Sequence, residues 1–142
     1  MKRFSQCLCV LLVLLLILAT PAFAAESNAL RSSDYFMSSS VYLRKTSSTQ
    51  LQVWFEVSAT GGMDELGVSV IKVQRSTDAQ NWTTVRTYYK EDYPNMIDTN
   101  TSYHSGYVPY TYSSGYYYRA YVQLYAKNSG GTGYYDCYTS YV

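Results

Sequence analysis

The sequence feature that most constrains the fold is a strict alternation of apolar and polar side chains between Gly115 and Lys127. The even-numbered residues of this stretch are almost all apolar, whereas the odd-numbered ones mix tyrosine with Arg119 and Gln123. Successive side chains of a β-strand point to opposite faces, so this pattern predicts a long central strand with one face in a core. We therefore expect a fold built on β-sheet.

The rest of the chain carries further strand patterns. Residues 51–59 alternate most cleanly, and we expect the pair Gly61-Gly62 to end that strand before a loop at residues 63–65. In the next strand the apolar parity switches between Val70 and Ile71, which predicts a bulge or burial on both faces. Four more strands are predicted over residues 34–46, 82–89, 102–112 and 134–142.

Proline and glycine refine these assignments. Pro94 predicts that residues 90–101 are irregular, because proline cannot donate a hydrogen bond within a central strand. Gly106 and Pro109 predict that the strand over residues 102–112 is interrupted and lies near an edge. With about seven strands, closely spaced turn signals and no helical period, the predicted fold class is an all-β, antiparallel β-sandwich.

The first 24 residues have the composition of a secretory signal peptide. Lys2 and Arg3 precede an apolar run of 13 residues (7–19), and Ala22 and Ala24 are the small residues of a cleavage site. The alternative is a retained membrane anchor, but a spanning helix needs about 20 apolar residues. The sequence thus predicts a secreted, extracellular protein with no stable membrane anchor after cleavage, a flexible tail at residues 25–33 and a single domain at residues 34–142.

Removal of this segment changes the cysteine count and the charge. Cys7 and Cys9 are lost, so Cys137 is left without an intramolecular disulfide partner. Without Lys2 and Arg3, nine basic residues face ten acidic ones, which gives a net charge of −1. This balance argues against nucleic acid as the main partner.

Two short patterns stand out, Leu51-x-Val53-x-Phe55 and Tyr118-x-Ala120-x-Val122. Over residues 49–142 the chain resembles immunoglobulin-like and fibronectin type III modules. The first pattern matches the family's second strand, with Phe55 where tryptophan is usual, and the second pattern matches its sixth strand. The resemblance implies a corner tyrosine at Tyr118, its ring in the core and its hydroxyl bonded to nearby backbone, although Ser114 replaces the usual proline. The Gly-Tyr-Tyr-Tyr-Arg start of the central strand is also similar to small secreted proteins of Gram-positive bacteria that have no known function.

Residues suited to catalysis are few. His104 is the only histidine, no activated-serine motif is present, and one histidine with one cysteine cannot form the usual zinc sets. Adjacent acids occur at Asp64-Glu65 and Glu91-Asp92, which are more typical of solvated loops than of a hydrolytic pair. We expect no enzyme activity and no cofactor, and we leave open whether residues 91–98 hold calcium.

Tyrosine is the remaining clue to function. The row Tyr117, Arg119, Tyr121, Gln123 and Tyr125 is predicted to face away from the core as a binding face. We expect Tyr135 and Tyr141 to extend this row. Tyrosine combines a rigid apolar ring with a hydroxyl, which suits recognition of a glycan, peptide or protein. Cross-strand pairs of aromatic rings also stabilise sheets without any ligand, so both interpretations stay open.

Self-association of a structural extracellular protein is the alternative function. Cys137 bears on this alternative, because a thiol on an edge strand can join two copies. The other interpretation of Cys137 is a small buried residue, which is where free cysteine usually lies.

Overall fold

A computed structural model describes residues 32–142 of the chain as one antiparallel sheet of six strands. The elements are α1 (Ser32–Tyr35), β1 (Phe36–Lys45), β2 (Gln50–Ser76), β3 (Thr83–Tyr89), a 3₁₀ turn (Pro94–Met96), β4 (Ile97–Thr111), β5 (Tyr117–Asn128) and β6 (Gly131–Tyr138). The all-β fold class is confirmed. The predicted signal peptide lies outside the described residues, as does the predicted tail apart from its last two residues, which belong to α1.

Strand β2 organises the sheet, because it pairs with four of the other five strands. Its first part, residues 50–59, lies between β1 and β4, and we call these strands the first half-sheet. Its last part, residues 65–76, lies beside β5, which in turn pairs with β6. On the other edge, the start of β4 pairs with residues 65–67 and β3 pairs with residues 70–75. We call this group the second half-sheet.

The predicted strand end at Gly61-Gly62 is wrong, and so is the predicted loop at residues 63–65. Strand β2 continues through both glycines for 27 residues, so two predicted strands are one and the strand count is six. Both glycines are exposed, and a Cβ built on either would meet no atom within 4 Å. Residues 60–62 are not paired with any residue of β1, β4 or β5. At these residues β2 passes from the first half-sheet to the second.

In the middle of β2 the sequence predicted a bulge or burial on both faces, and the structure has the bulge. The register with β5 shifts between Val68 and Val70, which leaves Ser69 as the extra residue. Ser69 is buried, and its hydroxyl donates to Gln123 Oε1 at 2.8 Å. The bulge switches the inward row from Val68 to Ile71 and Val73, as the change of parity in the sequence indicated.

One hydrophobic core joins the two half-sheets. The alternation predicted over residues 51–59 is confirmed, with every odd-numbered residue buried. From β5 the even-numbered residues join the same cluster, namely Tyr118, Ala120, Val122, Leu124 and Ala126. Full burial of a large apolar side chain contributes about 1.5–3 kcal/mol, so these two rows supply much of the stability. Tyr116, the first even-numbered residue of the alternating stretch, is 38% exposed instead.

Strand β4 confirms one prediction and corrects two. It pairs only with β2 among the described residues, so its edge position is confirmed. It begins at Ile97, so the irregular segment ends earlier than expected, and it is not interrupted at Gly106 or Pro109. Gly106 lies against the ring of Phe55, where a Cβ would come within 2.7 Å of Phe55 Cζ. The glycine therefore makes room for a core side chain instead of breaking the strand.

Tyr118 has the contacts predicted for a corner tyrosine. Its ring is buried and its hydroxyl donates to the carbonyl oxygen of Ser113 at 3.2 Å. The same hydroxyl accepts the Ser113 N–H at 3.1 Å. The predicted bond between the tyrosine hydroxyl and nearby backbone is confirmed, and its partner lies five residues upstream.

Candidate functional site

The outward row of β5 is extended by β6 through a tight hairpin. Asn128 pairs with Gly131, and the side chain of Asn128 accepts the N–H of Gly130 at 2.8 Å. This two-residue connection sets the register, so that Tyr121 lies opposite Tyr138. Directly opposite residues share a face in an antiparallel pair. The hairpin therefore puts Tyr138 on the outer face beside Tyr121.

We call the outward side chains of this region the aromatic face. It consists of Trp82, Tyr117, Arg119, Tyr121, Gln123, Asp136, Tyr138 and Tyr141. The ring of Tyr141 contacts both Tyr117 and Trp82, at centroid distances of 5.5 Å and 6.2 Å. The ring of Tyr121 contacts Tyr138 at 5.4 Å. Four of the five predicted face residues lie together here: the structure adds Trp82 and Tyr138, and it confirms Tyr141 as a neighbour.

Arg119 lies at the centre of the aromatic face. Its guanidinium carbon is 4.4 Å from the ring centroid of Trp82 and 4.8 Å from that of Tyr138. Its Nε donates to Gln74 Oε1 at 2.8 Å, which fixes the guanidinium plane. The terminal amino groups make no hydrogen bond to residues 32–142. They are therefore donors available to a ligand, held in place by stacking.

A polar network runs beside these rings. The Tyr121 hydroxyl donates to Asp136 Oδ1 at 2.8 Å, and Gln123 Nε2 donates to the same oxygen at 3.1 Å. Partial burial, followed by the bond to Asp136, raises the pKa of Tyr121 to about 12. Lys72 lies over the Tyr121 ring, with its Nζ 5.3 Å from the centroid. At neutral pH this part of the face presents a neutral phenol beside a carboxylate and an ammonium group.

Tyr125 is a correction to the predicted binding face. It was expected to be exposed, but it is only 5% exposed. Lys90 Nζ lies 3.9 Å from its ring centroid, and Tyr134 packs against it at 5.5 Å. Lys90 is held there by Glu65, 3.0 Å away. Tyr125 is therefore part of a packed cluster of side chains and is not available for recognition.

Tyr135 is a second correction. It was expected to extend the face, but it lies opposite Leu124, which belongs to the inward row of β5. Its ring is 49% exposed because β6 pairs only with β5 among the described strands and lies at an edge. Tyr135 therefore lies on the other side of β6 from the aromatic face.

A second set of exposed rings lies on the first half-sheet. Tyr42, Trp54 and Tyr107 are directly opposite one another on β1, β2 and β4, and we call them the aromatic row. Tyr42 and Trp54 are parallel with centroids 6.2 Å apart, and Trp54 and Tyr107 are 4.8 Å apart. The Trp54 indole N–H donates to Gln52 Oε1 at 2.9 Å, so the central ring is fixed within the sheet.

The side chains considered for catalysis have structural contacts. His104 packs on the Phe55 ring, and its Nε2 lies 2.9 Å from the carbonyl oxygen of Asn95. Cys137 is partly buried, and its thiol donates to the Val122 carbonyl oxygen at 3.4 Å. Burial, with Asp136 adding to it, raises the pKa of this thiol to about 11, so it is a poor nucleophile at neutral pH. Within residues 32–142, no three His, Cys, Asp or Glu side chains are grouped as metal ligands.

Comparison with protein-family models, with curated proteins and with solved structures found no match to this chain. The likeness to fibronectin type III modules and to secreted proteins of Gram-positive bacteria thus stands on the sequence patterns that suggested it. None of the helices within residues 32–142 is long and apolar enough to cross a membrane.

Proposed function

We propose that this protein is a secreted, non-enzymatic binding module that recognises an extracellular glycan, peptide or protein through the aromatic face. The observation that carries the proposal is Arg119 held between Trp82 and Tyr138, with exposed Tyr117 and Tyr141 beside it. Tryptophan, tyrosine and arginine are enriched among the few residues that carry most of the binding energy at protein interfaces. Fixed rings with adjacent hydrogen-bond donors also suit sugar rings.

We also propose that the fold is an immunoglobulin-like, fibronectin type III-like sandwich. The two half-sheets, which share one core, support this proposal, because sandwiches of that type divide their antiparallel strands between two packed sheets. The corner contact of Tyr118 supports it independently. Modules of this type commonly serve recognition outside the cell, which agrees with the predicted secretion.

The test is a binding screen followed by a matched pair of variants. The secreted protein is screened against glycans and cell-wall fragments, and affinity for any ligand found is measured by calorimetry. Tyr138→Ser with Tyr141→Ser removes two rings that are 55% and 56% exposed, and should weaken binding about tenfold or more. Tyr135→Ser is the control, because it removes a similarly exposed ring from the opposite side of the same strand.

Equal loss of affinity in the control and in the double variant would refute the aromatic face as the binding site. Loss of the folded circular dichroism spectrum in the double variant alone would show instead that these rings stabilise the sheet. We expect the double variant to lose affinity and keep its fold, since both rings are more than half exposed.

Self-association is a second candidate, favoured by a specific observation at β6. This edge strand carries three tyrosines with about half of their surface exposed, Tyr134, Tyr135 and Tyr138. An open strand edge can pair with another chain, and β6 pairs with no strand other than β5 in the described residues. Sedimentation over a range of concentrations tests this candidate. Tyr135→Lys should then abolish any association, because a lysine on an edge strand opposes pairing.

A further inference from the structure

A polar cleft of about 270 Å³ lies where β2 ends and β3 begins. Its lining consists of Arg75, Ser76, Thr77, Asn81, Thr83 and Tyr116. Arg75 follows Ile71 and Val73 in the inward row of β2, whereas Gln74, which contacts the aromatic face, points the opposite way. The cleft is therefore a separate site from the aromatic face.

The side chain of Arg75 is oriented by stacking alone. Its guanidinium carbon lies 4.3 Å from the ring centroid of Tyr116. It makes no hydrogen bond and no ion pair with residues 32–142, although five N–H groups are available on a guanidinium. A fork fixed by stacking loses little entropy when it binds, so Arg75 is preorganised for a planar acceptor.

The acid nearest in sequence does not neutralise Arg75. Asp78 uses its carboxylate within the turn, accepting the Ser76 hydroxyl at 2.8 Å and the backbone N–H of Asn81 at 2.8 Å. The bonds from Asn81, followed by those from Gln80 and Ser76, hold the pKa of Asp78 far below its usual value. The side chains that line the cleft carry one positive charge and no negative one, and the ionised Asp78 is bonded to the turn and not to Arg75.

We propose that this cleft binds a carboxylate group, held by the Arg75 fork and by the hydroxyls of Thr77 and Thr83. The planar fork matches a carboxylate with two parallel hydrogen bonds. The single positive charge of the lining complements a single negative charge better than the double charge of a phosphate. A cleft of this volume accommodates a small group such as a sugar acid or the end of a peptide. Both would present the same carboxylate group to Arg75.

The experiment follows the Arg75 side-chain Nε–Hε signal by NMR while the ¹⁵N-labelled protein is titrated at constant ionic strength. The probes are acetate, galacturonate, inorganic phosphate and, as an uncharged reference, methyl galactoside. We expect saturable shifts with both carboxylates, weaker binding of phosphate and none of methyl galactoside. Arg75→Lys keeps the charge but loses the fork, so it should weaken carboxylate binding about tenfold, as followed on backbone signals of the cleft.

The matched control is Arg44→Gln, which removes one positive charge from an exposed position on β1. It should leave carboxylate binding unchanged, as should the Tyr138→Ser, Tyr141→Ser double variant, so this site can fail without the aromatic face failing. If Arg75→Lys does not fold, Tyr116→Leu tests the same point, since it removes the stacking and should also weaken binding. The proposal would be overturned if Arg44→Gln and Arg75→Lys changed carboxylate affinity equally. Tighter binding of phosphate than of acetate would also overturn it.

Discussion

The two half-sheets share one core but have different outer surfaces. On the first, Tyr42, Trp54 and Tyr107 contact one another in a line across three strands. On the second, the rings are separated by polar groups, and Arg119 lies between Trp82 and Tyr138. Cross-strand ring pairs stabilise a sheet by themselves, so the aromatic row is accounted for without a ligand. The aromatic face keeps donors that no group within residues 32–142 uses, and this difference supports the recognition proposed there.

The largest expected effect tests whether the two half-sheets are one cooperative unit. Phe55 and Ile71 are both fully buried, one in each half-sheet. Phe55→Ala should cost about 3–5 kcal/mol and Ile71→Ala about 2–5 kcal/mol, because each leaves a cavity in the same core. Denaturant unfolding followed by tryptophan fluorescence and by circular dichroism should give coincident transitions. Separate transitions for the two probes would mean that the half-sheets fold independently.

The next prediction contrasts the two tryptophans. Trp54→Ala removes two ring contacts within the sheet and should cost about 1–3 kcal/mol of stability. Trp82→Ala removes a half-buried contact with Arg119 and should cost only about 0.5–1 kcal/mol, but should weaken ligand binding. Chemical denaturation and calorimetry measure the two effects. If Trp54→Ala weakens binding and Trp82→Ala does not, the roles of the two surfaces are reversed.

A smaller effect on stability is expected at Tyr118, the predicted corner tyrosine. Tyr118→Phe keeps the buried ring but removes the hydroxyl that bonds to Ser113, at a cost of about 0.5–1.5 kcal/mol. Tyr117→Phe is the control, since the hydroxyl of Tyr117 makes no hydrogen bond within residues 32–142. The shift in denaturant midpoint measures the difference. An unchanged midpoint for Tyr118→Phe would argue against the corner role of this tyrosine.

The smallest effect concerns the pH dependence of the aromatic face. Because the pKa of Tyr121 in the folded protein, about 12, lies above the ordinary value of 10.0, Tyr121 stabilises the fold below pH 10.0. This contribution is lost as the pH rises from 10.0 to about 12. Asp136→Asn removes one cause and should lower the pKa, which the Cζ signal of labelled tyrosine reports. Asp98→Asn should leave that signal unchanged.

Much of the fold follows from local pattern. Alternation predicted the inward rows of β2 and β5, and the change of parity at Val70 and Ile71 predicted the bulge at Ser69. Strand ends were harder, because glycine is penalised in strands only on average. Gly61 and Gly62 lie within β2 in open surroundings, and Gly106 is required by the neighbouring ring of Phe55. That requirement comes from a distant part of the chain.

The candidate site was predicted only in part, again because distant parts of the chain determine the rest. Alternation gave the correct face for Tyr117, Arg119, Tyr121 and Gln123, but it carries no information on what covers a face. Tyr125 is covered by Lys90, which is 35 residues away in the sequence. The length of the connection between β5 and β6 is the signal that identifies which tyrosines of β6 share the face. A two-residue connection at residues 129–130 places Tyr138 opposite Tyr121 and moves Tyr135 to the other side.

The length of β2 has a consequence for folding kinetics. Three of the other five strands, β1, β3 and β4, pair only with β2 among the described residues, and the partners of β2 on β4 and β5 lie about 30 to 60 residues away along the chain. Closing such long loops costs entropy before any contact repays it, so folding should take milliseconds to seconds, as in other sheets of distant pairing. Until β2 is ordered, the edges of its partners remain open to other chains. Substitutions in β2 should therefore lower the yield of folded protein more than equally destabilising ones in β6.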